Sequence, residues 1–238
     1  FIKIHLKPLE SIDLILLFQQ EVADTAAAVE KFSLFKIISS GGILGIIIVL
    51  TIFVLLAYAV YIFVERYLTI KAAAQIDENF MYNIKNNVQR GNIEAALQQC
   101  KSADSPIARM IEKGLQRIGK PLRDINTAVE NVGNLEVIKL EKNLSALATI
   151  SGAAPMIGFF GTVTGMIGAF FTMATQDNVS PTALAGGIYQ ALITTAFGLM
   201  VGIISFIGFN YLVASVQKVV FKMEALSMEF IDLLEQPA

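Results

Sequence analysis

The strongest constraint on this chain is Leu144 to Ser215, where Asp177 is the only Asp, Glu, Lys or Arg. Asp177 sits in a short break, Gln176 to Thr182, flanked by two uncharged runs, Leu144–Thr175 and Ala183–Ser215. A helix of about 20 apolar residues crosses a hydrocarbon core of roughly 30 Å, and each run is longer than that. The break carries Gln, Asp, Asn, Ser and Pro, which is turn chemistry. The pattern predicts a transmembrane helical hairpin.

Small and hydroxyl residues set this hairpin apart. Gly152, Gly158, Gly161, Gly165 and Gly168 recur at three- and four-residue steps with one six-residue gap, which places most of them near one helix face. Gly187, Ala191, Thr194 or Thr195, Gly198, Gly202 and Ser205 repeat the pattern on the second run. Membrane helices gain no hydrophobic drive from one another, so they associate by close approach through small residues. The hairpin is therefore expected to pack against helices on more than one side. A membrane Thr ordinarily bonds back to a carbonyl of its own helix, the reading taken for Thr164, Thr172 and Thr194. Gln190 is costlier to place in a membrane, which favours a function or an interhelical bond. Pro155 needs no function, because it can start or kink a helix.

The chain is 55% hydrophobic over 238 residues, too apolar for a soluble domain of this size. Its net charge of −2 leaves no basic footprint for nucleic acid. Cys100 is the one cysteine and His5 the one histidine, so neither an internal disulfide nor a Cys/His metal site is expected. Cys100 reads as an inert helix residue, and an enzyme is a poor expectation.

Taken in order, residues 1–40 form an extracytoplasmic N-terminal segment, with an amphipathic helix at Ser11–Glu21 and a short interfacial helix at Phe32–Ile38. Residues 41–64 form the first transmembrane helix, with Tyr58, Tyr61 and Phe63 as an aromatic belt near its end. Glu65 and Arg66 close it, either as snorkelling charges or as an ion pair at a subunit interface. Residues 65–143 are a helical loop. From Arg66 on it holds 12 of the 18 Lys and Arg, which places it in the cytoplasm and the N-terminus outside. Residues 144–175 and 183–213 are the second and third transmembrane helices, joined by a periplasmic turn at 176–182. Residues 214–238 continue as a cytoplasmic C-terminal helix.

Within the loop, one helix is expected over Ala72–Gln89, stopped by Gly91. Asn92 caps the next, over Ile93–Cys100, and Ser105-Pro106 starts a third, reaching Ile118. Pro121 starts a fourth, expected to run unbroken through Leu140 into the membrane. Ile111, Leu115, Ile118, Ile125, Val129 and Val132 supply apolar stripes for a small bundle. Val216, Val220, Met223, Leu226, Phe230 and Leu233 form a further stripe, suited either to copies of itself or to the loop helices of the same chain.

The run from Ala154 through Pro155, Gly158, Gly161, Thr162 and Gly165 to Met166 resembles the APxxGLxGTVxGM motif of the ExbB/TolQ/MotA proton-channel family. Gly187 to Leu199, spelled GIYQALITTAFGL, resembles that family's GIxEALxxTAxGL motif. Gly91–Leu97, Ser105–Arg109 and Glu65-Arg66 are similar to its loop pattern and to the pair closing its first span. The resemblance covers about Ile37 to Leu234 and is nearest to ExbB. It implies an all-α membrane protein of three transmembrane helices with long cytoplasmic helical extensions, assembled as a homopentamer around an ExbD- or TolR-like single-span partner. Such a complex uses the proton motive force to drive a TonB-like periplasm-spanning protein from the bacterial inner membrane. By the same resemblance Thr162 and Thr195 sit at the pore lining beside the partner's aspartate, and Gln190 and Thr194 are read as part of the same ion pathway. Pro155, Gly158, Gly161, Gly165, Gly198 and Gly202 shape the helices around it. No cofactor or metal is implied beyond the translocated ion. Gln190 stands where the family has a Glu. An amide cannot titrate but still donates and accepts hydrogen bonds. A proton path would then need a titrating group from the partner, and a ring of Thr and Gln oxygens could instead suit Na⁺.

Overall fold

A computed structural model describes residues 42–77, 79–175 and 181–235. The expectations for residues 1–40, including both N-terminal helices and His5, and for the turn around Asp177 lie outside the described residues. Among the described residues seven α-helices follow in order: α1 (Gly42–Ala74), α2 (Phe80–Gln89), α3 (Ile93–Ala103), α4 (Pro106–Leu115), α5 (Leu122–Leu140), α6 (Leu144–Thr175) and α7 (Pro181–Glu235). No strand occurs among the described residues. Three stretches, Leu44–Ala74, Leu122–Thr175 and Leu184–Glu235, contain windows long and apolar enough to cross a membrane. The protein is a multi-pass, all-helical membrane protein.

Two loop expectations are corrected. The helix foreseen over Ala72–Gln89 is two helices, because Asp77 closes a turn between them: its carboxylate accepts the Asn79 N–H at 3.0 Å and its carbonyl accepts that of Phe80 at 2.9 Å. The unbroken helix foreseen from Pro121 into the membrane is interrupted at Glu141–Asn143, where Asn143 adopts φ 64°. Asn is one of the few non-glycine residues that visits this left-handed region readily. The caps follow the sequence signals: the side chains of Asn92 and Ser105 accept the N–H groups of Ala95 and Ala108.

By internal contacts the chain forms two units, each built from parts of α1, α6 and α7. The smaller holds the described residues up to Val49 with Gly161–Thr194, and the larger holds Leu50–Phe160 and the chain from Thr195 onward. In the larger unit the loop helices bury Ile84, Ala96, Cys100, Ile111, Leu115 and Val129. Ile118, expected on the apolar stripe, is instead 38% exposed in the turn after α4. The C-terminal stripe packs within the same chain. Val216, Met223, Phe230 and Leu233 are buried, and the Phe230 ring occupies the space a side chain at Gly114 would need. Burying an aromatic side chain of this kind contributes about 2–3 kcal/mol.

A chain of ion pairs, partly exposed, runs along the edge of this core. The Arg109 guanidinium donates to Asp104 and to Glu136, each at 2.7 Å, and Lys139 donates to Glu136 at 2.6 Å. The Lys139 carbonyl accepts from Arg66 at 3.1 Å, and Arg66 also pairs with its neighbour Glu65. Arg66 is only 5% exposed, so it satisfies a carbonyl in the last turn of α5 rather than reaching into solvent. Glu136 is 3% exposed; burial opposes its charge, but the hydrogen bonds and charges of Arg109 and Lys139 outweigh it and hold the carboxyl below its usual value.

Two outcomes follow. Arg109→Met should weaken the loop helices by about 2 kcal/mol, read as faster amide hydrogen exchange over residues 106–140. Exchange at the wild-type rate would contradict the role given to Glu136. Burial, with a smaller push from the Glu112 charge, raises the Cys100 thiol to about 12. Cys100 should therefore resist maleimide at neutral pH until the loop is unfolded.

Candidate functional site

In the larger unit, α6 and α7 approach until backbone meets backbone. A methyl group at Gly198 would lie 2.6 Å from the Ala154 carbonyl oxygen and 2.9 Å from the Gly158 Cα. A methyl at Gly202 would lie 2.5 Å from the Pro155 ring and 3.0 Å from the Ser151 carbonyl oxygen. Pro155 has no N–H for the Ser151 carbonyl, and the missing side chain of Gly202 leaves room for the ring there. Across this seam the Thr195 hydroxyl donates to the Gly158 carbonyl at 2.9 Å.

The smaller unit repeats the device. Methyl groups at Gly165 and Gly187 would lie 2.9 Å from the Ala191 Cβ and 3.0 Å from the Ala169 Cβ. One at Gly161 would meet the Thr194 side chain and, at 3.3 Å, Ile48. Two hydroxyls converge on the Ala191 carbonyl, Thr162 from the facing helix at 3.3 Å and Thr194 from its own helix at 2.7 Å. Gln190 is 7% exposed, and its Nε2 has no hydrogen-bond partner among the described residues. A methyl at Gly45 of α1 would lie 2.9 Å from that nitrogen.

The threonines thus divide into two sets. Thr164, Thr172 and Thr194 bond to carbonyls three or four residues back on their own helix, as expected. Thr162 and Thr195, the two threonines singled out by the motifs, bond to the facing helix. Gly152, Gly168 and Gly186 have nothing within 4 Å of a would-be Cβ, so their faces are open among the described residues. Glu65 and Arg66 pair beside α5, away from these residues in sequence but inside the larger unit. Among the described residues no group of three or more His, Cys, Asp or Glu could hold a metal ion. Glu136 was not foreseen as buried. The signal was there: it continues the spacing Ile125, Val129, Gly133, Leu140 as an acid on an apolar stripe.

A family model described as the MotA/TolQ/ExbB proton channel family matches residues 102–225. The chain is 31% identical to a protein named biopolymer transport protein ExbB homolog from Methanothermobacter thermautotrophicus, over 60% of this chain and 50% of that relative. It is 24% identical to the Tol-Pal system protein TolQ of Pseudomonas aeruginosa, over 87% of this chain and 95% of that one. It is 32% identical to the biopolymer transport protein ExbB of Xanthomonas campestris pv. campestris, over 45% of this chain and 43% of that one. The chain therefore spans half or less of the ExbB-named relatives it matches here, and nearly all of the TolQ one.

The matched residues include both faces of the close approach. Gly198→Ala should push α6 and α7 apart at a cost of about 1–3 kcal/mol, read as earlier thermal unfolding of the detergent-solubilised chain. Gly152→Ala, which meets nothing within 4 Å among the described residues, should leave that unfolding unchanged; equal behaviour of the two variants would contradict the packing described. With the family model covering more than half of the sequence, including both glycine and threonine motifs, the chain belongs to the MotA/TolQ/ExbB proton channel family.

Proposed function

We propose that this protein is the channel-forming subunit of an ExbB–ExbD-like motor in a bacterial inner membrane, driven by the proton motive force. One observation carries the reading. From Leu44 to Val64, from Leu144 to Thr175 and from Leu184 to Val213 the chain holds no Asp, Glu, Lys, Arg or His. A helix bundle of this composition can surround an ion path but cannot itself relay a proton by carboxylate titration. The titrating group is then supplied by another chain, a single-span ExbD- or TolR-like partner held among several copies of this one. The open faces at Gly152, Gly168 and Gly186 support assembly of copies, because small residues are where membrane helices meet. Thr162 and Thr195 line the path beside the partner's carboxylate. A hydroxyl that donates to a carbonyl can still accept. Gln190 and Thr194 belong to the same pathway as further polar groups at membrane depth. The Lys and Arg bias of the loop supports a cytoplasmic location for residues 65–143 and the C-terminus and a periplasmic one for the N-terminus.

A TolQ-like role in envelope maintenance is the second reading, favoured by the length of the match to the Pseudomonas protein. The two readings differ in the periplasm-spanning protein driven, not in the path.

The test reconstitutes the chain with an ExbD-like partner and follows proton entry into vesicles with a pH-sensitive dye. An interhelical hydrogen bond in a membrane is worth about 0.6 kcal/mol on average and rarely more than 2, so Thr162→Ala and Thr195→Ala should still assemble. Each should cut partner-dependent proton flux at least about tenfold, an expectation of about 1.4 kcal/mol on the rate. Wild-type flux in both would refute the assignment, flux that requires Na⁺ would replace the proton as the ion, and function untouched by an uncoupler would leave only a scaffold.

A further inference from the structure

We propose that the groove between α1 and α7, at the loop end of the membrane spans, binds one anionic phospholipid. The groove lies wholly within the larger unit and has two compartments. The first, about 480 Å³, is walled by Ala59, Val60, Phe63, Leu147, Ile204 and Ile207 among others. The second, about 300 Å³, is lined by Lys71, Lys218, Lys222 and Ser215 with neighbouring apolar residues. Tyr67 and Tyr211 line both, so the compartments adjoin.

Their order along the chain gives the site its polarity. On α1 the apolar positions from Ala59 to Phe63 precede Tyr67, and Lys71 follows one turn on. On α7 Ile204, Ser205 and Ile207 precede Tyr211, and Ser215, Lys218 and Lys222 follow at three- and four-residue steps on the same side. Both helices therefore pass from apolar wall through aromatic ring to lysine in the same direction. Phe63, Tyr67 and Tyr211 form a three-ring cluster at the border, with centroids 6.2–6.3 Å apart. Aromatic residues of this kind mark the headgroup level of a bilayer.

Three lysines here share one mouth, yet among the described residues no carboxylate lies within 4 Å of any of them. Lys71 instead lies over the Tyr67 ring, 5.9 Å from its centroid. The apolar compartment also holds one unmet polar group: Ser205 is 1% exposed, and its hydroxyl has no partner among the described residues. A cavity of this size accepts a substantial apolar ligand, and a basic pocket between membrane helices at the headgroup level selects anionic headgroups. A neighbouring protein helix would fill the apolar part but leave three like charges uncompensated. A phosphatidylcholine would fill it with no net charge at the mouth. An anionic phospholipid satisfies both parts, with its acyl chain along Phe63 and Leu147 and its phosphate among the lysines. The inference depends on the membrane crossings alone and not on which ion or partner they serve.

The chain has no tryptophan, so Ile204→Trp places a single fluorophore in the apolar compartment. The full chain, reconstituted in phosphatidylcholine vesicles, is titrated with acyl-brominated phosphatidylglycerol or acyl-brominated phosphatidylcholine, whose bromines quench on contact. Phosphatidylglycerol should quench with at least about fivefold higher apparent affinity, the effect of one lysine near a charged headgroup. The preference should shrink with added salt and vanish in Lys71→Gln/Lys218→Gln/Lys222→Gln. Equal quenching by the two lipids, quenching by neither because another chain covers the groove, or a preference that survives the triple substitution would each overturn the proposal. The comparison of lipids needs no lysine variant, so it decides even where the triple variant fails to insert.

Discussion

The contact on which this structure depends is the one at Gly198, where α7 lies directly on the backbone of α6 at Ala154 and Gly158. Lipid tails are as apolar as leucine, so two membrane helices gain little by burying large side chains against each other. They gain by dispersion at short range and by hydrogen bonds that would otherwise go unmade. Both require the backbones to come close, and small residues, glycine above all, permit it. Once the backbones are close, a threonine on one helix reaches a carbonyl on the other, as Thr195 does to Gly158. The glycines and the cross-helix hydroxyls are thus one device. Large residues such as Phe159, Met200 and Ile203 are left on the outside of the chain.

Helices α6 and α7 were legible in the sequence because two long uncharged runs suit a bilayer and little else. The caps at Asn92 and Ser105 were legible for a local reason, since a side-chain acceptor and the N–H it serves lie three residues apart. The breaks at Asp77 and Asn143 were less so. No glycine or proline marks either, and the decisive chemistry is one Asx turn and one asparagine in a left-handed conformation. Periodicity showed that Val216 to Leu233 has an apolar face but could not show what covers it; Phe230 at Gly114 answers that within the same chain. The pairing of Thr162 and Thr195 with opposing carbonyls came from no spacing rule. It depends on which face each helix turns to the other.

Charge has been kept out of the crossings and concentrated where they end. The chain Asp104–Arg109–Glu136–Lys139, continued through the Lys139 carbonyl to Arg66 and Glu65, links the loop helices to the end of α1. Burying Glu136 is costly unless its partners hold it, so its bonds to Arg109 and Lys139 support one another. The membrane end of the loop is thereby fixed to α1 by directional bonds. The apolar core of α4, α5 and α7 fixes its far side. Lys71, Lys218 and Lys222 stand apart from this network, and the anionic surface of the membrane is the natural counter-charge for them.

Helix α7 has a mechanical consequence. From Thr195 to Phe230 it runs without interruption inside the larger unit, a distance of roughly 50 Å at 1.5 Å per residue. A rod of that length pivoting near Thr195 sweeps its distal end by about 1 Å for every degree of tilt. Angular adjustments too small to disturb the Thr195 hydroxyl would therefore arrive at Phe230 as displacements comparable to a side-chain clash. The gain of this lever belongs to the backbone itself and requires no hinge.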